Sequence, residues 1–195
     1  MLNTTSARLR KHLLLPLCLG AALLSACASQ GTTGGTTSTS TTAPAARPVP
    51  RIDWPGLRQG LDKALGNVAG AEVGAPTDSS LHLRIPVSDG FSSDSVELRA
   101  PLARALDTLI PTLNAYPDVA IHIVGHTDSV GSEMYNLQLS IRRSEAVMEY
   151  LRTRGIALDR MSADGKGEAE SIADNSREAG RARNRRVEFF LRPLE

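Results

Sequence analysis

From Leu81 onward the spacing of apolar residues switches repeatedly between two and three-to-four, which leaves few arrangements open. Leu81, Leu83, Ile85 and Val87 alternate with His82, Arg84 and Pro86, the pattern of a strand with one buried face. Residues 95–116 then place Leu98, Leu102, Leu106, Leu109 and Leu113 three or four apart, which predicts an amphipathic helix. Residues 119–124 form a second strand with Ile121 and Ile123 on one face, and residues 133–154 give the clearest helix of the chain. A strand near 160–163 and a last one over 185–191 complete a β-α-β-α-β-β order. Strands alternating with long helices imply parallel pairs. The wide polar faces of both helices argue against a sheet covered on both sides. The predicted class is α+β, a sandwich of one mixed sheet with helices packed on one face.

A short helix and strand precede this pattern. Ile52-Asp53-Trp54-Pro55 opens the helix, with Asp53 as its cap and Pro55 inside the first turn, and Leu57, Leu61 and Leu65 as its apolar stripe. Trp54 reads as a packing anchor rather than a carbohydrate platform. Residues 71–74 and 81–87 are expected to be strands around a Thr77-Asp78-Ser79-Ser80 turn. Residues 28–50 are Ala, Ser, Thr, Gly and Pro with Arg47 as the single charge, too polar to fold alone. A coil of that length spans roughly 25 Å r.m.s.. The chain therefore divides into 1–26, 27–50, 51–80 and 81–195.

The first 26 residues read as a targeting segment. Arg8, Arg10 and Lys11 form a basic start, and the apolar stretch at 13–24 is too short to span a bilayer. It ends in Leu24-Ser25-Ala26-Cys27, which resembles the lipobox of bacterial lipoproteins. That resemblance implies cleavage before Cys27 and acylation of its thiol and new amine. Two or three acyl chains anchor durably where one does not. Ala28 follows, with no Asp to suggest retention in the inner membrane, so the expected destination is the periplasmic leaflet of the outer membrane. Cys18 leaves with the signal and Cys27 carries lipid, so no disulfide forms and the fold rests on its own core. Losing Arg8, Arg10 and Lys11 takes the formal charge from +1 to −2, which argues against a nucleic-acid partner.

The chemistry lies in Gly125-His126-Thr127-Asp128, read with Asn136, Leu139-Ser140, Arg143 and Asn184-Arg185-Arg186-Val187-Glu188. Asp128 follows the strand that ends near Val124, where ligands of strand–helix crossovers gather. On the helix after Gly131, Leu137, Ile141, Val147, Met148 and Leu151 project on one arc, with Gln138, Arg142, Glu145, Glu149 and Arg152 opposite. Asn136, Ser140 and Arg143 fall on the edge between, beside a shallow cleft. The amides near Asn136 and Leu137 are expected to donate to a carboxylate. Arg143 adds a planar fork that a Lys could not mimic. One carboxylate and one guanidinium at the two ends of this connection suit a zwitterion's ammonium and carboxylate.

These residues resemble the OmpA-like (OmpA/MotB C-terminal-like) peptidoglycan-binding domain, over roughly residues 81–193. The resemblance implies that Asp128 holds the ammonium and Arg143 the carboxylate of diaminopimelate in the peptidoglycan stem peptide, with Thr127 and Asn136 in support. Arg186 is a further candidate binding residue, although Asn184, Arg185 and Arg186 read equally as strand-edge structural pairs. The implied protein is a non-enzymatic outer-membrane lipoprotein that ties membrane to wall and needs no cofactor or metal, similar to the Pal type. Contact with Tol-type or other periplasmic proteins stays open, with residues 51–80 the place to look. The chain departs from the family at Ser144 for the usual Ala, Lys166 for an aromatic, Ser171 for Pro, and in the loop after Phe91.

Other readings compete. His122 and His126, four apart, suggest a metal site but lie on a strand and its exit, and His126 is expected to be a loop hydrogen-bonder fixing the Thr127-Asp128 turn. A Ser–His–Asp wall hydrolase would draw on Ser129 or Ser140 with His126 and Asp128, but no Gly-x-Ser-x-Gly elbow is present. A signalling lipoprotein of the same fold, regulated by a partner, is the remaining alternative.

Overall fold

Asp53 starts the first helix as its sequence requires. In this computed structural model, which describes residues 51–92 and 95–195, the Asp53 Oδ1 accepts from the Gly56 N–H at 3.0 Å. Pro55 lies in the first turn of α1 (Trp54–Leu65). The signal segment, the Cys27 acylation site and the linker to residue 50 lie outside the described residues. Trp54, Leu57, Leu61 and Leu65 are buried, and α1 packs against α2 (Ala100–Ala115). The remaining elements are β1 (Glu72–Val73), β2 (Leu81–Pro86), β3 (Val119–His126), α3 (Glu133–Thr153), β4 (Met161–Gly167), α4 (Glu178–Asn184) and β5 (Arg186–Pro193). The sheet order is β1-β2-β5-β3-β4; β3 and β4 run parallel, and the other pairs are antiparallel.

The core is one cluster. Leu57 and Leu61 of α1, Leu106 and Leu109 of α2, and Val147 and Leu151 of α3 meet Leu83, Ile85, Ile121, Ile123 and Phe189 of the sheet. The expected mixed sheet with helices on one face is therefore present, and α1 shares that core. On the other face, in register across β2, β5 and β3, His82 stacks on the exposed Phe190 at 4.6 Å and His122 tilts against it at 6.2 Å.

Several elements differ from expectation. The second helix begins at Ala100 rather than near residue 95. Pro101 sits in its first turn and the residue before a proline is biased away from helical backbone, while Leu98 is held by an antiparallel bridge to Phe91. The strand expected at 160–163 follows a 3₁₀ turn at Leu158–Arg160 and continues to Gly167. The turn carries Arg160, buried and donating to the Leu113 carbonyl at 3.0 Å. The short α4 stands between the last two strands, where no helix was expected.

The inner face of α3 is also different. Its buried residues are Asn136, Leu139, Ser140, Ser144, Val147 and Leu151, whereas Leu137 and Ile141 are half-buried. Small polar residues face the sheet because β3 and β4 present glycine there. A Cβ on Gly125 or Gly165 would collide with the backbone of Ser140. The Ser140 Oγ donates to the Leu137 carbonyl at 2.7 Å and accepts from the Gly167 N–H at 2.9 Å. Ser144, where the family favours Ala, donates to the carbonyls of Ile141 and Asp164 at 2.7 and 2.6 Å. The helix thus lies against β4 with its hydroxyls satisfied.

His126 is not a loop residue. It ends β3, is 2 % exposed, and neither ring nitrogen has a hydrogen-bond partner among the described residues. Burial, and then the nearby Arg186, push its imidazolium down to about 4. Its Nε2 lies 4.0 Å from the Glu188 Oε1, beyond hydrogen-bond reach. Glu188 accepts from His82 at 2.8 Å and from the Arg186 Nε at 2.6 Å. Burial acts to raise the Glu188 carboxyl, but those bonds outweigh it and hold it below the ordinary carboxylate range.

Two outcomes are expected from this packing. Gly165→Ala should cost roughly 1–3 kcal/mol in urea unfolding, because the helix must move to admit the methyl. Gly66→Ala, at a right-handed position with ordinary clearance, should instead be neutral or gain up to about 1 kcal/mol. On the acid side, the unfolded His126 takes its proton near its usual value of 6.5, while the folded one does so only at about 4. Stability is therefore complete above the former and falls as pH drops toward the latter, by on the order of 2–3 kcal/mol. Loss of the Glu188 pairing adds to this below the ordinary carboxylate range. Urea titrations across that window should show a flatter profile for His126→Leu than for the parent; equal slopes would refute the assignment.

Candidate functional site

Where β3 ends, the chain turns through Thr127-Asp128-Ser129-Val130-Gly131 into α3. The turn holds itself: the Thr127 N–H donates to the Gly167 carbonyl at 2.9 Å, and the Asp128 Oδ1 accepts from the Val130 N–H at 3.0 Å. Gly131 adopts φ 108°, which favours glycine, and Ser132 then caps α3 by accepting from the Tyr135 N–H at 3.3 Å. The result is a cleft of about 490 Å³ beside the carboxyl end of β3. Thr127, Asp128, Asn136 and Arg143 all line it, so the structure brings together four of the residues singled out from the sequence.

Each is held by a different device. Asp128 is 9 % exposed, and its Oδ2 receives the Arg185 Nη1 at 2.6 Å. Arg185 also bonds the Glu178 Oε1 at 2.6 Å, and Glu178 in turn receives Arg181 at 2.8 Å. Asp128, Arg185, Glu178 and Arg181 thus form a chain of alternating charge along one wall. Hydrogen bonds from Arg185 and then Arg181 hold the exposed Glu178 carboxyl below its ordinary range. The half-buried Arg143 places its guanidinium 4.9 Å from the centre of the Phe91 ring and donates from Nε to the Ser95 carbonyl at 3.1 Å. Asn136 donates to the Glu168 Oε2 at 2.7 Å, tying the start of α3 to the exit of β4. Thr127 is buried, and its Oγ1 has no hydrogen-bond partner among the described residues.

Two expected residues are placed elsewhere. Arg186 is 2 % exposed and lies outside the cleft lining; it bonds Glu188 and the carbonyls of Asn184 and Glu170, so its guanidinium is spent on the fold. Leu137 does not line the cleft either. The helix starts at Glu133 and the Asn136 N–H already donates to the Ser132 carbonyl, so the expected amide donors at 136 and 137 lie past the first turn. Leu139 lines the cleft instead.

Arg185, Arg181, Glu178, Phe91 and Tyr135 also line it without having been proposed. Arg185 stands in the Asn-Arg-Arg run, and strand alternation sends it and Arg186 to different surroundings. Asn184 is fully buried and accepts from the N–H groups of Ile172 and Ala173 at 2.9 and 3.0 Å, which fixes the loop leading to α4.

The competing chemistries are not assembled. Both Asp128 oxygens are directed at Val130 and Arg185, and His126 donates to neither. His122 bonds Ser162 at 2.9 Å, and no group of three or more His, Cys, Asp or Glu among the described residues is placed to hold a metal. A larger groove of about 590 Å³ lies between α1 and α2, lined by Val68, Pro86, Leu102 and Ala105, away from these charges. The chemistry belongs to the smaller cleft, where opposite charges converge.

Known proteins share these features. The OmpA family model matches residues 90–185, which contain every cleft residue named above. The probable lipoprotein YiaD of Escherichia coli is 38 % identical over 112 residues, covering 57 % of this chain and 51 % of that protein. The peptidoglycan-binding protein ArfA of Mycobacterium tuberculosis is 39 % identical over 101 residues, covering 52 % of this chain and 31 % of that protein. This chain therefore spans about half, or less, of the length of these curated relatives. Among solved structures, a MotB-like protein from Desulfovibrio vulgaris superposes with a TM-score of 0.62 at 28 % identity, covering 73 % of this chain and 92 % of the other. By the family match, the relatives and the fold alike, this chain carries an OmpA-like domain.

Proposed function

We propose that the cleft binds peptidoglycan non-covalently, through the diaminopimelate of its stem peptide, and that the protein is an outer-membrane lipoprotein tying that membrane to the wall. One observation carries the reading: Thr127, Asp128, Asn136 and Arg143, drawn from two elements, line a single cleft of about 490 Å³. Asp128 supplies the negative charge for the ammonium at the diamino centre and Arg143 the planar fork for its carboxylate. ArfA, by its name, binds peptidoglycan, and YiaD is a probable lipoprotein, which supports both halves of the proposal. Acylation at Cys27 would supply the anchor. No described helix is long and apolar enough to cross a membrane.

The binding strength follows from the geometry. The cleft is open to water, and exposed charge pairs contribute little each, typically below about 1 kcal/mol. An incoming ammonium also shares Asp128 with Arg185. Affinity per site is therefore modest, and tethering raises the effective concentration of wall at the domain.

Purified peptidoglycan should retain the parent protein and release Asp128→Ala and Arg143→Ala, with Arg142→Ala, exposed on the far side of α3, binding as the parent does. Titration should favour a diaminopimelate peptide over its lysine counterpart, which lacks the second carboxylate, by at least several-fold. Wall binding that survives in both cleft variants would refute the site.

A further inference from the structure

The lip of the cleft is chemically unlike its floor. Val130 and Met134 are 65 % and 63 % exposed, and Tyr135 is 37 % exposed. Val130 and Tyr135 line the cleft, with Met134 beside them in the first turn of α3. Across from them, Val96 is 39 % exposed and follows Ser95, whose carbonyl receives Arg143. Single apolar side chains on a surface need no explanation. Here, however, four of the seven large apolar side chains exposed among the described residues lie on or beside one charged cleft. Clustering of that kind marks a contact surface.

We propose that Val130 and Met134 form a second subsite, which takes the aliphatic side chain of the residue next to the diamino acid in a bound wall peptide. The inference rests on the reading of the cleft given above. Val130 is fixed relative to the charge that anchors the ligand, because its own N–H is bonded to the Asp128 carboxylate at 3.0 Å. An extended peptide advances about 3.3 Å per residue. The neighbour of a residue held by Asp128 and Arg143 therefore falls within reach of Val130 and Met134.

The chemistry of the lip selects its occupant. Neither Val130 nor Met134 offers a side-chain donor or strong acceptor, so a polar neighbour would lose hydration there without replacement. An alanine methyl, the group that follows the diamino acid in wall stem peptides, gains by covering them. Burying one methyl is worth about 0.8 kcal/mol, or roughly three- to four-fold in affinity.

The test is a calorimetric titration of the full chain with two synthetic peptides that carry Ala or Gly after diaminopimelate. The parent should bind the Ala peptide roughly three- to four-fold tighter. A Val130→Ser, Met134→Ser double variant, altered at exposed positions only, should bind both equally and match the parent on the Gly peptide. Equal binding of both peptides by the parent, or an undiminished preference in the variant, overturns the lip and leaves the cleft intact. Failure of the parent to bind either peptide overturns the underlying reading instead. Binding of the parent to phospholipid vesicles that the double variant loses, without any change in peptide preference, would assign the lip to a membrane and overturn the proposal.

Discussion

The approach of α3 to the β3–β4 pair governs everything at the cleft. Gly125 and Gly165 remove the side chains that would hold the helix away, and the hydroxyls of Ser140 and Ser144 take up polar groups of β4. A helix seated this closely cannot rotate or slide without burying an unsatisfied hydroxyl or driving a carbonyl into a strand. Its orientation is thereby fixed. That in turn sets where Asn136 and Arg143 stand relative to Asp128, which is carried by the strand rather than the helix.

The second wall works by charge rather than by contact. Asp128 is nearly buried, and a buried carboxylate without a partner is costly. Arg185 supplies the partner, and Glu178 keeps Arg185 aimed, so the acid stays ionised and in place before any ligand arrives. The same pairing limits what Asp128 can give. Any cation reaching it must share or displace a guanidinium, which lowers the net gain and keeps exchange fast. Arg186, one residue along, serves a different end: it supports Glu188 in the sheet beside His126. Two adjacent arginines thus divide between cleft and fold.

How much of this was legible depended on period. α1, β2 and the extent of α3 followed directly from apolar spacing, because their buried residues are large and aliphatic. The inner face of α3 was misread for the opposite reason: where the sheet offers glycine, the residues packed against it are Asn136, Ser140 and Ser144, which a hydrophobic projection assigns to an edge. α4, with Glu178-Ala179-Gly180-Arg181-Ala182-Arg183-Asn184, has no apolar stripe at all. It is held by ion pairs and by the buried amide of Asn184, so Arg181 and Glu178 left no periodic signal. Asp128 and Arg143 were found from type and position, whereas Arg185 could not be separated from Arg186 until the start of β5 was known.

That division also bears on Thr127 and His126, the two remaining residues of the motif. Both are buried with polar atoms lacking partners among the described residues, a costly state that a protein rarely keeps by accident. His126 keeps it beside Arg186 and Glu188, where burial and the neighbouring guanidinium hold the ring neutral at neutral pH. A neutral ring adds no cation to an end of the sheet already rich in arginine. Thr127 keeps its hydroxyl at the cleft, next to the Asp128 that anchors the proposed ligand. The two residues therefore differ in direction: the histidine's neutrality serves the electrostatics of the sheet, and the threonine's unspent hydroxyl is positioned to be satisfied from the cleft side.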